Sequence, residues 1–577
     1  MDSRTAAHTL SQIAAYLELN GENSFKCKAY RGAAKGLLAL GADDLAPLYK
    51  SGELGRVRGL GPATLAVIRD LIEFGESSYL EQLRESTPEG LLEMLDVPGL
   101  TPDKIRKIHE ALGIQTLEEL EEAGRNGRLA ALPRFGPKTA ERILKGIAFL
   151  RSRGSLRLYY HAIVEASQLL AMVRSHPHVA RAEIAGAIRR RVEVAGAVDV
   201  VAACTQSPTE VAQSFTRIAG VKASDSDDGT VAIRFVDGGH LDLRCVEPDQ
   251  FGVALWRATG SNDHVTDVRA RLAANGFSVD NDWLRGPDDR VVAASTEDVV
   301  YRAAGIKYVE PELREGLGEV EAASRRSLPG LVVPGDIRGV LHCHSHYSDG
   351  KASIAEMARA ARERGWSYIG ISDHSQAAFY ASGLSREQIL AQHAEIDELN
   401  ATFTDFRVLK GIEADILAEG QLDYGDAILD RFDYVIGSIH SRFAMNRAAM
   451  TDRVLKALDD PRLTILAHPT GRLLLSRDPY DIDVDAVLER AREVGAAVEL
   501  NADPHRLDLD WRHLRRAKAL RVSVAIGPDA HSTTGLDYMD TGIGIARKAW
   551  LEPRDVLNTG NADDVLAFAR RRREGAA

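Results

Sequence analysis

Short segments rich in histidine and carboxylate side chains recur along residues 336–577. The first is the run 342–350 (HCHSHYSDG), and the last is Asp529-Ala530-His531. Side chains alternate between the two faces of a strand, so His342 and His344 would present both rings on one face. Histidine, aspartate and glutamate together suit borderline divalent ions such as Zn²⁺ or Mn²⁺. The segments therefore predict a metal site.

The segments also share their position, because each follows an apolar run such as 434–436 or 463–466. This is typical of side chains at the C-terminal ends of the strands of a βα-repeat barrel, where such folds keep their chemistry. A lone histidine is usually structural, but that explanation does not cover the whole set. Nine ligands are too many for one ion and predict a cluster of two or three. The segments are 342–350, 373–374, 411–413, 438–441, 467–469 and 529–531.

These motifs resemble the PHP (polymerase and histidinol phosphatase) family, and most of all the PHP domain fused to bacterial family X DNA polymerases. The resemblance is carried by these segments, by the run 466–474 (LAHPTGRLL), and by Asn501-Ala502 followed by 506–509 (RLDL). It implies a distorted (β/α)7 barrel over 336–577 that binds two or three Mn²⁺ or Zn²⁺ ions. The ligands that the resemblance implies are His342, His344, Asp349, His374, Glu413, His440, His468, Asp529 and His531. Arg442 and Arg472 follow two of the motifs closely and are candidates to clamp a substrate phosphate.

The N-terminal half is similar to the same polymerases. The matching segments are 21–31 (GENSFKCKAYR), 186–190 (GAIRR), 251–252, 259–261 (TGS) and 311–316 (PELREG). The resemblance implies a multidomain chain, with a helical N-terminal region before an α+β nucleotidyltransferase-like palm and thumb. We expect these domains: a helical DNA-binding domain, 1–75; a helical fingers-like region, 76–152; the palm, 153–250; the thumb, 251–323; a linker, 324–335; and the barrel, 336–577.

Three glycine-containing turns in the first 150 residues resemble helix-hairpin-helix motifs. They lie at 59–62, 98–102 and 133–138. Glycines there would let backbone N–H groups approach a DNA phosphate at a helix N-terminus. The alternative is that the turns only join helices. The predicted DNA-binding residues are Gly59, Gly61, Gly99, Gly136 and Lys138.

The palm departs from the family where its chemistry lies. Nucleotidyl transfer of this kind needs two Mg²⁺ ions held by three carboxylates. Ala197 stands where the first is expected, which leaves Asp199 and Asp242 and makes bound Mg²⁺ doubtful. Glu183 and Glu193 are the alternative sources of the missing carboxylate, but their register in the sequence does not favour either of them.

Other departures fall in the same pocket. Ala187 replaces a serine that would contact the incoming triphosphate, and Arg257 and Ala258 replace polar or aromatic residues. Asn262 and Val265 replace an expected lysine and asparagine. We therefore predict that polymerase activity is lost or weak. A vestigial nucleotide site would retain Gly186, Arg189, Gly260 and Ser261.

Composition sets limits on these expectations. The chain has 577 residues, a formal net charge of −12 and four cysteines without a CxxC pair. The cysteines argue against a disulfide framework or a thiolate zinc site. No N-terminal apolar stretch is long enough for a signal peptide or a membrane span, so we expect a soluble, cytoplasmic protein, as a monomer. DNA contact must come from local basic clusters and backbone amides.

Together these observations predict a DNA repair enzyme whose PHP domain is a metal-dependent 3′→5′ exonuclease. Its partner would be DNA with a 3′ end, as a gapped or primer–template substrate. Three alternatives stay open: an active gap-filling polymerase with PHP proofreading, a small-molecule phosphatase of the histidinol-phosphatase type, and a DNA-end-binding factor without activity.

Overall fold

The computed structural model describes the chain except for residues 41, 43, 75, 76, 78, 81, 84–86, 88, 89, 98, 99, 134, 154, 155, 219, 220, 236, 237, 379, 380, 576 and 577. The chain divides into two compact units, Met1–Gly154 and Ser155–Ala577. Among the described residues, no helix combines the length and the apolar character that a membrane span requires.

The first unit is entirely helical within its described part. Side chains at the helix starts favour these elements: Thr101 accepts a hydrogen bond from the Lys104 amide, and Thr116 forms a capping box with Glu119. The unit has two apolar clusters, one around Leu10 and Leu37 and the other around Ile105 and Ile143. Its helices are Ser3–Leu19, Ser24–Leu40, Ala46–Lys50, Pro62–Phe74, Gly90–Glu93, Pro102–Leu112, Leu117–Arg125 and Gly136–Arg153, with 3₁₀ turns at Glu53–Arg56 and Met94–Asp96.

The second unit begins with a palm-like domain built on a five-stranded sheet. In spatial order its strands are Val179–Ile184, Val198–Cys204, His240–Val246, Thr230–Phe235 and Val221–Asp227. The central pair is parallel and places Asp199 beside Asp242, while the other neighbours are antiparallel. A two-stranded ladder joins Arg157–Leu158 to Val194–Ala195. The helices are Tyr159–Arg174, Gly186–Arg189, Pro208–Ser214 and Phe251–Thr259.

A thumb-like domain follows and is organised around a buried ion cluster. Glu297 is 5% exposed and receives hydrogen bonds from Arg189 of the palm at 2.7 and 3.0 Å, and from the fully buried Arg314. These contacts tie the thumb to the palm. The thumb helices are Asn262–Ala274, Glu297–Ala303 and Glu319–Ser324, and its strands are Ser278–Asp280, Trp283–Arg285 and Val291–Val292.

Seven parallel strands then form the predicted barrel, which confirms the (β/α)7 architecture. They lie side by side in chain order and are buried along their length, apart from the start of the third. The ring closes where the His344 amide donates to the Ala530 carbonyl at 2.9 Å. The strands are Gly339–Cys343, Tyr368–Ile371, Arg407–Asp415, Tyr434–Ser438, Leu463–Leu466, Ala497–Asn501 and Val524–Gly527.

Helices surround this barrel, and the last one lies against its interior. Val565 and Ala569 of the terminal helix pack on the residues that fill the barrel, including Tyr368 and Ile465. The barrel is therefore a filled core whose chemistry must lie at its opposite, C-terminal rim. The helices are Ile354–Glu363, Arg386–Thr402, Asp426–Leu429, Arg447–Asp459, Val484–Val494, Trp511–Leu520, Tyr538–Lys548 and Ala562–Glu574.

Charged side chains hold the palm on the barrel. Arg472 of the barrel lies 3.5 Å from Glu193 of the palm. The buried Lys548 donates to the Arg190 carbonyl at 3.1 Å and also pairs with Glu315. Because these groups are largely buried, the contacts fix the palm and the barrel rim relative to each other.

We predict that Glu297→Gln destabilises the second unit by about 3 kcal/mol, because it leaves Arg314 buried without its counter-charge. The pKa of Glu297 is lowered to about 2: burial opposes ionisation, but Arg314 and Arg189 outweigh it. A lowered pKa contributes stability above the unfolded value near 4, and this stability is lost as pH falls toward 2. The loss of unfolding free energy caused by Glu297→Gln should therefore become smaller as the pH falls through this range.

Urea unfolding followed by tryptophan fluorescence would measure this effect, because all five tryptophans lie in the second unit. Asp298→Asn is the matched control, because it removes a charge from the same helix turn at an exposed position. Equal, small losses for both variants would contradict the prediction.

Candidate metal centre

The nine candidate ligands gather at the C-terminal rim of the barrel. They come from the ends of six strands or from the loops that follow them. Glu413 lies within the third strand, whereas His440 and His468 follow the fourth and fifth. His342 and Asp529 adopt left-handed backbone angles, with φ of +64° and +50°. Such strained conformations persist at sites where the surrounding structure fixes a functional side chain.

Their donor atoms form four overlapping groups in which all atoms lie within 4.8 Å of one another. Glu413 lies at the centre: one oxygen is 3.1 Å from His468 Nε2 and 3.3 Å from His440 Nε2. Ligands bound to one zinc ion lie roughly 3.4 Å apart, since each metal–nitrogen bond is about 2.1 Å. The groups are His344–Asp349–His374–His531, His342–Glu413–His468, His342–His344–Asp529 and His374–Glu413–His440.

Buried donor atoms in these groups provide a test of whether cations fit. Among the described residues, the buried ring nitrogens His342 Nε2, His344 Nδ1 and His468 Nδ1 have no hydrogen-bond partner. Buried polar atoms normally have one, because leaving them unsatisfied is costly. Divalent cations would bind such atoms, so the arrangement fits a metal cluster. Shared donors give it room for two or three ions.

The electrostatics of the site also suit metal ligation. Burial opposes the ionised form of Glu413, but His374, His342 and His440 outweigh it and hold its pKa well below the usual value. Burial, followed by the neighbouring His531 and His374, lowers the pKa of His344 to about 3. An ionised carboxylate and a neutral imidazole are the forms that bind metal. Burial lowers the pKa of His440, but Glu413 and Asp415 outweigh it and raise this pKa to about 9, so a bound cation would have to displace a proton from that ring.

Two carboxylates that the sequence analysis missed orient the ligand rings. His440 Nδ1 lies 2.8 Å from Asp415 Oδ1, and His342 Nδ1 lies 2.5 Å from Glu499 Oε1. A proton held there leaves the Nε2 atom of each ring for the metal. A side chain at Gly527 would collide with Glu499, so glycine permits this contact.

The sixth strand contributes Glu499 and Asn501 as supports in place of a ligand. Glu499 also accepts from the His468 amide at 2.9 Å, and Asn501 donates to Glu499 and to Asp529 at 3.2 and 3.1 Å. Glu499 and Asn501 are spaced by two within a buried strand, and this spacing is the sequence signal that could have identified them.

Asp373 anchors the first loop of the site and is not in any ligand group. Its carboxylate accepts from the Ser345 amide at 2.7 Å, from Gln392 at 2.6 Å, and from Ser348. These bonds hold the segment between His344 and Asp349 in place.

The two candidate phosphate clamps differ in their surroundings. Arg472 is 9% exposed and donates to the carbonyls of Arg506 and Leu507 and to Asp510. Arg442 is exposed, with a left-handed φ of +58°. The structure therefore commits the Arg472 guanidinium to the protein itself.

Arg506 lies beside one of the candidate ligands. Its Nε atom is 3.5 Å from Asp529 Oδ2. With Asp503, His505, Asp529 and His531 it lines a cleft of about 300 Å³ that opens beside the ligands. In the sequence, Arg506 is recognisable only as part of a matching motif, because nothing local shows which way its side chain points.

The two remaining catalytic-type carboxylates of the palm lie side by side. Asp199 and Asp242 are register neighbours, and burial together with Asp242 raises the pKa of Asp199 to about 6. A side chain at Gly186 would collide with the Asp199 carboxylate, which shows how closely they pack. Neither possible substitute is free: Glu193 faces Arg472, and Glu183 lies 3.5 Å from Arg181.

The other residues of the predicted nucleotide site make structural contacts. Ser261 caps the helix Asn262–Ala274 by accepting from the His264 amide at 3.1 Å, and Gly260 ends the preceding helix. Arg189 is held by Glu297 and Thr259.

The predicted DNA contacts lie at helix starts of the first unit. Gly61 precedes the helix Pro62–Phe74, and Gly136 begins the helix that carries the exposed Lys138. The space where a side chain would lie is open at Gly61 and Gly136, whereas Gly59 packs on the Gly32 backbone. Gly99 lies outside the described residues.

Three family models match the chain. A PHP domain model covers residues 341–501, a SAM-like helix-hairpin-helix tandem covers 91–148, and a DNA polymerase beta thumb covers 254–315. These matches agree with the metal-binding barrel, with part of the helical first unit and with the thumb-like domain.

Similar proteins fall into two groups. A DNA polymerase/3′-5′ exonuclease PolX from Bacillus subtilis (strain 168) is 37% identical over 575 residues, which covers 99% of this chain and 100% of that protein. A probable phosphatase from Caldanaerobacter subterraneus subsp. tengcongensis is 28% identical over 41% of this chain and 94% of its own length. A probable phosphatase from Thermoanaerobacter sp. (strain X514) is 27% identical over 40% of this chain and 96% of its own length. Full-length similarity at this level assigns the chain to the PolX family, the family X DNA polymerases with a C-terminal PHP domain.

Proposed function

We propose that this chain acts in DNA repair as a metal-dependent 3′→5′ exonuclease through its PHP barrel, and that its polymerase activity is weak or lost. The observation that carries this proposal is a contrast between two sites. The barrel has nine ligands with buried, orienting carboxylates around them. The palm has two carboxylates where the chemistry needs three.

The ligands and the cleft suggest how a phosphodiester would be handled. Divalent ions held by the nine residues, Mn²⁺ or Zn²⁺ from the donor set, would supply Lewis acidity and activate water for attack at phosphorus. Arg506 would bind the scissile phosphate from the cleft wall. Arg442 stays a second candidate, because its exposed guanidinium lies on the loop just after His440.

The loss of polymerase activity is supported by what replaces the missing groups. Arg257 is paired with the buried Asp282 at 3.0 Å, and Arg244 of the palm contacts the same carboxylate at 2.5 Å. Arg257 thus serves packing between palm and thumb.

An active polymerase is the strongest alternative. Its support is the palm sheet, which keeps Asp199 beside Asp242, and the relative that carries polymerase in its name. A small-molecule phosphatase is supported by relatives named as probable phosphatases. Their similarity covers about two-fifths of this chain, whereas helix-hairpin-helix and thumb models match outside the barrel. A DNA-binding factor without enzymatic activity would not account for the set of metal ligands in the barrel.

We predict that His531→Ala reduces 3′-end shortening of a 5′-labelled DNA strand in Mn²⁺ by about a hundredfold or more, because it removes a ligand. His531 is 36% exposed, so the substitution leaves the barrel core intact. His513→Ala is the matched control: it changes an exposed histidine of the same domain that belongs to no ligand group.

The measurement is a denaturing gel of a labelled primer on a gapped template, with and without deoxynucleotides. Shortening by the H531A variant as fast as by the wild type would refute the exonuclease assignment. Strong extension by the wild-type protein would instead make the polymerase the primary activity. Bound metal, measured after purification, should fall in H531A and not in H513A.

We predict that Ala197→Asp combined with Ala187→Ser raises nucleotide addition in Mg²⁺ by at least about tenfold, because the pair restores a third carboxylate and a triphosphate contact. Residue 197 precedes the strand Val198–Cys204 and shares its face with Asp199. Asp242→Asn in the same background is the control and should abolish the gain. A restored palm that adds nothing would show that further departures block the reaction.

We predict that Lys138→Ala weakens DNA binding and lowers the slope of log affinity against log salt by about 1, as expected for one lost phosphate contact. Lys145→Ala is the matched control on the same helix, since Lys145 already pairs with Glu141 at 2.9 Å. Fluorescence anisotropy at several salt concentrations would measure both. Identical slopes for the two variants would contradict a phosphate contact at Lys138.

A further inference from the structure

Four aromatic rings meet where the palm contacts the barrel rim. Tyr160 and His161 lie at the start of the palm helix Tyr159–Arg174, whereas His505 and Tyr538 belong to the barrel. The Tyr160 and Tyr538 ring centroids are 5.4 Å apart in an edge-to-face contact. The His161 and His505 centroids are 6.5 Å apart, and Tyr160 lies 5.8 Å from His161. The rings form one continuous patch across the domain boundary.

This aromatic patch opens directly into the metal cleft. His505 is one of the residues that line the cleft with Asp529, His531 and Arg506. Its own position is fixed, because its amide donates to Asp503 at 2.7 Å and its carbonyl accepts from the Leu474 amide at 2.5 Å. A chain that leaves the ligands along this side therefore meets His505 first and the palm rings next.

The rings on this path are not buried in a core. His161 is exposed, and the side chain of His505 is 60% exposed. Tyr160 and Tyr538 are half-buried, so their ring faces are partly open. Exposed rings that stand in a row next to a cleft have accessible π-faces, which suit planar ligands.

Interdomain contacts fix the position of the palm rings relative to the cleft. Arg191 lies 3.2 Å from Asp540, two residues after Tyr538, and its guanidinium stacks over the Tyr159 ring at 5.2 Å. Lys548 and Arg472 add the interdomain contacts described above. The palm rings thus keep a fixed distance from the metal ligands.

We propose that Tyr160, His161, His505 and Tyr538 form a stacking platform for the last unpaired bases of a DNA strand whose 3′-terminal phosphodiester lies in the cleft. The proposal rests on the exonuclease function proposed above. Aromatic stacking tolerates every base, because each base has a π-face, and it holds a single strand without sequence preference. The palm would then contribute to strand binding by the barrel even where it adds no nucleotide.

The test compares steady-state shortening of two single strands, one ordinary and one with abasic sites at its three terminal positions. His161→Ala removes an exposed ring and should raise KM on the ordinary strand by about tenfold, with kcat unchanged, as expected for the loss of one stacked base. His161→Tyr should restore KM, because it returns a ring. His513→Ala, an exposed barrel histidine outside the patch, is the control.

On the abasic strand, the wild type and the H161A variant should have equal KM values, since no terminal base is present to stack. The platform is refuted if H161A leaves KM on the ordinary strand unchanged, if it raises KM equally on both strands, or if His161→Tyr does not rescue. A merely structural role of the patch predicts the last two outcomes. Failure of the underlying exonuclease function is distinguishable, because H531A would then shorten both strands as fast as the wild type.

Discussion

The structure of the barrel rim depends on the burial of carboxylate charge among imidazole rings. Glu413 is 1% exposed, and the rings of His342, His374, His440 and His468 approach its two oxygens. An ionised carboxylate is costly inside a protein unless opposite charge surrounds it. The rings supply part of that compensation, and metal ions would supply the rest. Ligand arrangement and metal binding are thus parts of one electrostatic balance.

The same constraint explains the second layer of the site. Glu499 and Asp415 fix ring orientation by accepting from the nitrogens that do not face the cluster. Asn501 then satisfies Glu499 and Asp529 together. The network continues outward through Arg506, which lies 3.5 Å from Asp529, to Arg472, which donates to the Arg506 carbonyl and pairs with Glu193 of the palm. Through this contact the palm is part of the support of the barrel rim.

The palm therefore also has a structural role. Glu193, Arg190 and Arg191 contact the barrel, whereas Arg189 holds the thumb through Glu297. These contacts need the palm architecture whether or not the palm adds nucleotides. This accounts for a chain that keeps full-length similarity to a PolX protein while Ala187 and Ala197 stand where polar groups are expected.

The sequence by itself determined a βα-repeat barrel with metal-ligand motifs, because each motif is short and follows an apolar strand. The resemblance of those motifs to the PHP family added the number of strands and the choice of the nine candidate ligands. The sequence could not identify Glu499, which contacts a residue 157 positions away in the chain. Nor could it show that Arg472 is occupied by carbonyl groups and Glu193, or that Arg506 lies at the cleft. Those outcomes depend on distances between strands and domains that only tertiary packing sets. Local patterns define which residues can bind a metal, whereas packing decides which groups orient them and which side chains remain free for substrate.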